Sequence, residues 1–150
     1  MTVDLSQFHQ VFFEESNEGL DIMESALLGI DLEDLDSEKI NEIFRAAHSI
    51  KGGSGTFGFQ QIADFTHVVE TLLDLIRSDQ FKMLSEHVDL FLQSVDCLRT
   101  MINQIEDGKD CDLEQAGEIK AQFEKILANL DGNADSETVA ETSDSEESSG

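Results

Sequence analysis

Apolar residues recur every three to four positions along most of this chain, and short polar stretches interrupt them. Leu5, Phe8, Phe12, Gly19, Met23, Leu27 and Ile30 mark a first amphipathic helix over about residues 5–30. An acidic connection from Asp31 to Asp36 follows, and Asp36 or Ser37 is placed to cap a second helix. That helix carries Ile40, Ile43, Phe44, Ala47, Ile50 and Ser54 at helical spacing, until Gly58 breaks the pattern. A third helix is expected over about 60–79, with Ile62, Phe65, Val69, Leu72, Leu73 and Ile76 on its stripe. Ser85 is read as the cap of a fourth, whose Val88, Phe91, Leu92, Val95, Leu98, Ile102 and Ile105 face inward and which Gly108 ends. Asp112 and Gln115 resemble a capping box before a fifth helix bearing Leu113, Ala116, Phe123, Leu127 and Leu130, with Gly132 at its end. No segment of useful length alternates with strand period. The pattern predicts an all-α fold, an up-and-down four-helix bundle with the fifth helix packed alongside.

Composition sharpens this. The chain has 150 residues and no proline, which favours long uninterrupted helices. From Asp131 onward there are seven acidic residues, seven Ser or Thr and no Lys or Arg. Such a stretch cannot bury enough apolar surface to order itself. The expected division is a domain over 1–130 and a disordered acidic linker over 131–150. The net charge of −24 falls to −17 once the seven tail acids are set aside, still strongly negative. Binding to nucleic acid or insertion into an anionic membrane is disfavoured. Cys97 and Cys111 fit no metal-ligand pattern or disulfide framework, and no apolar run is long enough for a signal peptide or a span, so a reducing cytoplasm is expected.

One stretch does not fit an ordinary bundle helix. Residues 46–59 hold four of the ten glycines together with His48 and Lys51, in a chain with only four His and nine Lys plus Arg. Gly52, Gly53 and Gly55 fall where the second helix would continue, and three glycines in a helix interior cost roughly 3 kcal/mol against alanine. At 100° per residue, His48 lies roughly 110° from the centre of the apolar stripe. It shares that flank with Asn41, Gly52 and Gly55, with Arg45 beside it, while the stem of Lys51 can snorkel out from the stripe's edge. On the third helix, Glu70 occupies a flank with Ala63, Asp74 and Arg77, and His67 sits further round. If the two helices form an antiparallel hairpin pivoting at Phe59, His48 comes level with Glu70 and Lys51 with His67.

An exposed imidazole with a carboxylate at one ring nitrogen keeps the other nitrogen free as a nucleophile. A nearby lysine can offset the charge of an incoming phosphoryl group, and bare glycine backbone lets donor and acceptor approach closely. The chain offers no strand on which to build a phosphate loop, so it can accept a phosphoryl group without visible means of generating one. The formal G-x-G-x-x-G at Gly53–Gly58 follows a helix rather than a strand and is rejected as a dinucleotide signature. The acid clusters at 31–36 and 107–114 lack the glycine and spacing of a calcium loop, and His67-x-x-Glu70 reverses the order of a di-iron motif. His9 and His87 are read as surface residues.

Residues 44–59, FRAAHSIKGGSGTFGF, resemble the phosphoacceptor motif of histidine phosphotransfer domains, most closely those at the N-terminus of the chemotaxis histidine kinases of the CheA family. The likeness covers the order and length of the helices over about 1–130. It implies that His48 is phosphorylated, that Glu70 orients its ring, that Lys51 and His67 complete the site, and that Gly52, with Arg45 and Gly55, admits docking partners. It further implies a cytoplasmic phosphoryl carrier of two-component signalling, monomeric as a fragment. Its phosphoryl group would come from ATP and Mg on a kinase domain elsewhere and pass to an aspartate of a response regulator receiver domain. No cofactor is expected in the stretch itself. A stand-alone relay protein and a non-catalytic acidic interaction module are the alternatives.

Overall fold

The computed structural model describes residues 5–111 and 113–138. Among these there are five helices and no strand: α1 (Leu5–Leu28), α2 (Ser37–Thr56), α3 (Gln60–Arg77), α4 (Ser85–Glu106) and α5 (Leu113–Thr138). α1 and α2 pack side by side, α2 pairs with α3, and α4 closes the ring against α1 and α3, while α5 lies on α3 and α4. This is the expected all-α bundle with a fifth helix alongside.

Each helix buries one stripe. Ile40, Ile43, Ala47, Ile50 and Ser54 of α2 face Ile62, Phe65, Val69, Leu72, Leu73 and Ile76 of α3 across the core. The buried Ser54 hydroxyl donates back to the Ile50 and Lys51 carbonyls, which satisfies it without a partner from another helix. α1 departs from its expected face. Phe13, Ser16 and Leu20 are buried, whereas Phe8 is 52% exposed, because the stripe runs through positions 12, 16, 20, 23 and 27 and leaves Phe8 on the rim of the α1–α2 groove. In α5, Ala116, Ile119 and Phe123 reach the core, and Phe123 packs on Phe91 at 5.5 Å between centroids, while Leu113 is exposed.

The ends of the helices explain the hairpin. Asp36 caps α2 by accepting from the Glu38 N–H at 2.9 Å. α2 stops at a tight turn in which Gly58 takes φ +79° and the Phe59 N–H reaches back to the Ser54 carbonyl at 2.8 Å. α4 ends the same way with Gly108, and α3 does so with Asp79 at φ 67° and a Gln80 N–H to Leu75 carbonyl bond of 2.8 Å. The Gly58 turn folds α3 directly back along α2, so residues equidistant from it meet.

Four local expectations change. Ser85 does not cap α4. Leu84 is the capping residue, and its N–H donates to Nδ1 of His87 at 2.9 Å, so His87 is buried rather than on the surface. His9 is half-buried among Phe13, Phe57 and Phe59, with its ring 5.1 Å from that of Phe57. α5 continues past Gly132 to Thr138, since one interior glycine lowers helix propensity by only about 1 kcal/mol. The rest of the expected linker, 139–150, and Asp112 of the expected capping box lie outside the described residues.

Candidate functional site

The outer flank of α2 carries an open strip. The His48 side chain is 63% exposed there. A Cβ added at Gly52 or at Gly55 would meet no atom within 4 Å, so neither glycine is required by packing inside this chain. Gly53 is different. A Cβ there would stand 2.7 Å from a Phe12 ring carbon, so this glycine is what lets α1 press against α2. The glycine run therefore divides into one residue that serves the core and two that face solvent beyond His48.

α3 supplies the partner groups. Glu70 is 7% exposed and turns both carboxylate oxygens toward α2. Nδ1 of His48 lies 2.5 Å from Oε2, and Nζ of Lys51 lies 2.6 Å from Oε1. Burial alone would raise the Glu70 carboxyl, but the hydrogen bonds from Lys51 and His48, together with their charges, hold it below its ordinary value of 4.5. Glu70 is therefore an anion that accepts from both α2 side chains. That acceptor role places the His48 proton on Nδ1 and leaves the lone pair of Nε2 directed outward.

The structure brings His48, Lys51 and Glu70 together and leaves His67 apart. His67 is exposed, and its ring makes no hydrogen bond or ion pair among the described residues. It lies a turn short of Glu70 and is rotated toward solvent. Lys51, level with it on α2, extends to Glu70 instead. Arg45 is exposed at the mouth of the α1–α2 groove, three residues before His48.

Three neighbours were placed by the sequence only as helix positions, Phe44 on the stripe of α2 and Asp74 and Arg77 on the flank of Glu70, with no role at the site. The Phe44 ring lies nearly parallel to the His48 ring, at 10° and 5.9 Å between centroids. The guanidinium of Arg77 sits 3.8 Å from the centre of the Phe44 ring, and Asp74 accepts from its Nη2 at 2.8 Å and its Nε at 3.2 Å. The available signal was the spacing: Phe44 precedes His48 by one turn, and Asp74 and Arg77 follow Glu70 by one and two turns.

The arrangement can perform nucleophilic chemistry at one nitrogen. A tautomer held by a carboxylate, an exposed Nε2, a lysine that offsets the carboxylate, and bare backbone nearby suit an acceptor of an anionic group. No group of three His, Cys, Asp or Glu among the described residues is arranged to hold a metal, and no described helix is long and apolar enough to cross a membrane.

Known proteins share both the sequence and the fold. The chain is 41% identical over 114 residues to the chemotaxis protein CheA of Klebsiella aerogenes, an alignment covering 76% of this chain and 18% of that protein. It thus spans under a fifth of the length of that relative. The CheA phosphotransferase domain from Thermotoga maritima superposes with a TM-score of 0.64 at 34% identity, covering 69% of this chain and 98% of that one. The phosphorylated P1 domain of CheA3, in its complex with CheY6 from R. sphaeroides, superposes with a TM-score of 0.76 at 24% identity, covering 83% of this chain and 98% of that one. The Hpt domain model matches residues 7–108, which run from the first helix through the Gly108 turn and hold the whole His48–Glu70–Lys51 cluster, and the chain belongs to the Hpt domain family.

Proposed function

We propose that His48 accepts a phosphoryl group on Nε2 and passes it to an aspartate, making this domain a phosphoryl carrier of two-component chemotaxis signalling. The observation that carries the reading is the exposed His48 ring bound through Nδ1 to a buried carboxylate, beside glycines that no internal packing requires. The lone pair of Nε2 attacks the γ-phosphorus of ATP held by a separate kinase domain. The new N–P bond forms as the bond from phosphorus to the bridging oxygen breaks and ADP leaves. The imidazole becomes cationic, and the Glu70 carboxylate at Nδ1 lies against that charge. In the second step a carboxylate oxygen of a receiver-domain aspartate attacks the same phosphorus, the N–P bond breaks, and its electrons return to Nε2.

Lys51 has a defined part in this scheme. Glu70 alone would repel an anionic phosphoryl group, and the ammonium at its other oxygen offsets that charge without blocking Nε2. Gly52 and Gly55 give the kinase active site, and afterwards the receiver, access to the nitrogen, with Arg45 at the rim. ATP and Mg would be held by the kinase domain, in the cytoplasm.

The test is phosphorylation with a chemotaxis-type kinase core and labelled ATP. One acid-labile, base-stable phosphate per chain is expected, absent in His48→Gln. Label persisting in that variant, or none in the wild type, overturns the reading.

A further inference from the structure

Glu70 fixes one point of the His48 ring and not its plane. A single hydrogen bond at Nδ1 leaves the imidazole able to tilt about the line to Oε2, and each tilt swings Nε2, on the far side of the ring, through an arc. The side chain is 63% exposed, so solvent does not restrain that motion. A second restraint is needed if Nε2 is to meet an incoming phosphorus in line.

Phe44 is placed to supply it. It precedes His48 by one helical turn, and its ring lies 10° from parallel to the imidazole at 5.9 Å between centroids, an offset stack. Phe44 is half-buried and could swing toward solvent, but Arg77 covers it, with the guanidinium carbon 3.8 Å from the ring centroid. Arg77 is in turn held to Asp74 by two hydrogen bonds of 2.8 and 3.2 Å. Asp74 follows Glu70 by one turn on α3. One face of α3 thus restrains the imidazole twice, at its edge through Glu70 and in its plane through Asp74, Arg77 and Phe44.

We propose that Phe44, clamped by Arg77, is a positioning residue that sets the plane of the His48 ring and thereby the direction of Nε2. This rests on His48 being the phosphoacceptor. It assigns Phe44 no contact with the phosphoryl group; its effect passes through the imidazole.

Phosphoramidate tests the proposal without a protein partner, because its P–N bond breaks as the Nε2–P bond forms and ammonia leaves. Phe44→Leu keeps a branched apolar side chain but removes the flat face, and should slow phosphorylation about tenfold. Phe44→Tyr keeps the face and should run at the wild-type rate. Arg77→Met leaves the core untouched and should slow the reaction about threefold. In NMR spectra of the folded variants, the His48 ring protons should lose their ring-current shift in Phe44→Leu and retain it in Phe44→Tyr. A Phe44→Leu variant that is folded and phosphorylated at the wild-type rate overturns the positioning role while His48 remains the acceptor. A Phe44→Tyr variant as slow as Phe44→Leu also overturns it. A wild type that takes no phosphoryl group on His48 overturns the functional reading, and the role of Phe44 falls with it.

Discussion

Two adjacent glycines should respond to the same substitution with opposite signs. Gly52 and Gly53 both lie inside α2, so replacing either with alanine removes a helix-propensity cost of about 1 kcal/mol. At Gly52 nothing opposes that gain, since the new methyl group meets no atom within 4 Å. Gly52→Ala should therefore stabilise the domain by about 1 kcal/mol, raising Tm by about 4 °C. At Gly53 the methyl group would stand 2.7 and 2.8 Å from two carbons of the Phe12 ring, well inside contact distance. The ring has little room to yield. It is 5% exposed and is enclosed by Phe13, Phe57 and Phe59 at 5.7, 5.9 and 5.5 Å between centroids. Forcing one extra methyl group into such packing costs about 2 kcal/mol, so Gly53→Ala should lose about 1 kcal/mol net.

The propensity gain is common to both variants, so the difference between them isolates the steric cost. Urea denaturation should separate their midpoints by about 1 M. Trimming the obstacle should close the gap: in a Phe12→Leu background, Gly53→Ala should cost less than it does in the wild type. Equal stabilisation by both substitutions would refute the reasoning, since it would mean that α1 and the Phe12 ring move aside freely. The functional arm runs the other way. The more stable Gly52→Ala should accept phosphate from phosphoramidate at the wild-type rate and from a kinase core more slowly, because its methyl group obstructs only a large partner.

Glu70 is held below its ordinary value of 4.5, so its contribution to stability is full above that pH and is lost as the pH falls through the lower folded-state value. Glu70→Gln should therefore lose less stability than the wild type on acidification from pH 6 to pH 3.5, as read by urea midpoints at each pH; identical curves would remove the linkage. Arg99 joins α4 to Asp21 and Glu24 of α1 at 2.8 and 2.5 Å and is part-exposed, so Arg99→Ala should cost about 1 kcal/mol, a loss that shrinks in 1 M salt. Asp79 holds φ 67° at the end of α3, where glycine is unstrained, and Asp79→Gly should raise Tm by a few degrees, about 0.5–1 kcal/mol in stability. Phe123 is fully buried against Phe91, so Phe123→Ala should cost about 3–5 kcal/mol in chemical denaturation if α5 is integral to the core.

The hairpin was legible because few variables define it. Two regular helices joined by a turn at Gly58 can pair in only a small number of registers, and the apolar stripes of α2 and α3 select the one that brings Glu70 level with His48. What lay beyond backbone level was harder to read. Lys51 is level with His67, yet its four-carbon stem carries the ammonium to the buried carboxylate, where it pairs with a charge that burial would otherwise penalise. The stack of Phe44 on His48 depends on rotamers that spacing does not determine. His87 was misread for a different reason. A polar residue in the first turn of a helix is ordinarily exposed, but here its ring is the acceptor for the Leu84 N–H, the part that a Glu or Gln at the same position plays in a capping box. Phe8 fits the helical period as well as its neighbours do, and only the placement of α2 against α1 leaves it outside.

The charges around His48 also bear on what the site can do. The chain carries 33 acidic residues against 9 Lys and Arg, yet Lys51 and Arg77 stand about this one imidazole through Glu70 and Phe44, and Arg45 precedes it by three residues on α2. Two of the three are matched: Lys51 by Glu70 at 2.6 Å and Arg77 by Asp74 at 2.8 Å. Arg45 is exposed and makes no ion pair among the described residues. The immediate site is thus close to neutral, in a molecule that would otherwise repel an anion. A pocket with several unmatched cations would bind the phosphoryl group more tightly once it had arrived, and binding of that kind stabilises the phosphorylated state without lowering the barrier to leaving it. A carrier that must both receive and release the group is better served by cations whose charge is already matched. Under the proposed function Glu70 would then have two electrostatic roles: to favour the imidazolium at Nδ1, and to limit how strongly Lys51 can hold the phosphoryl group at Nε2.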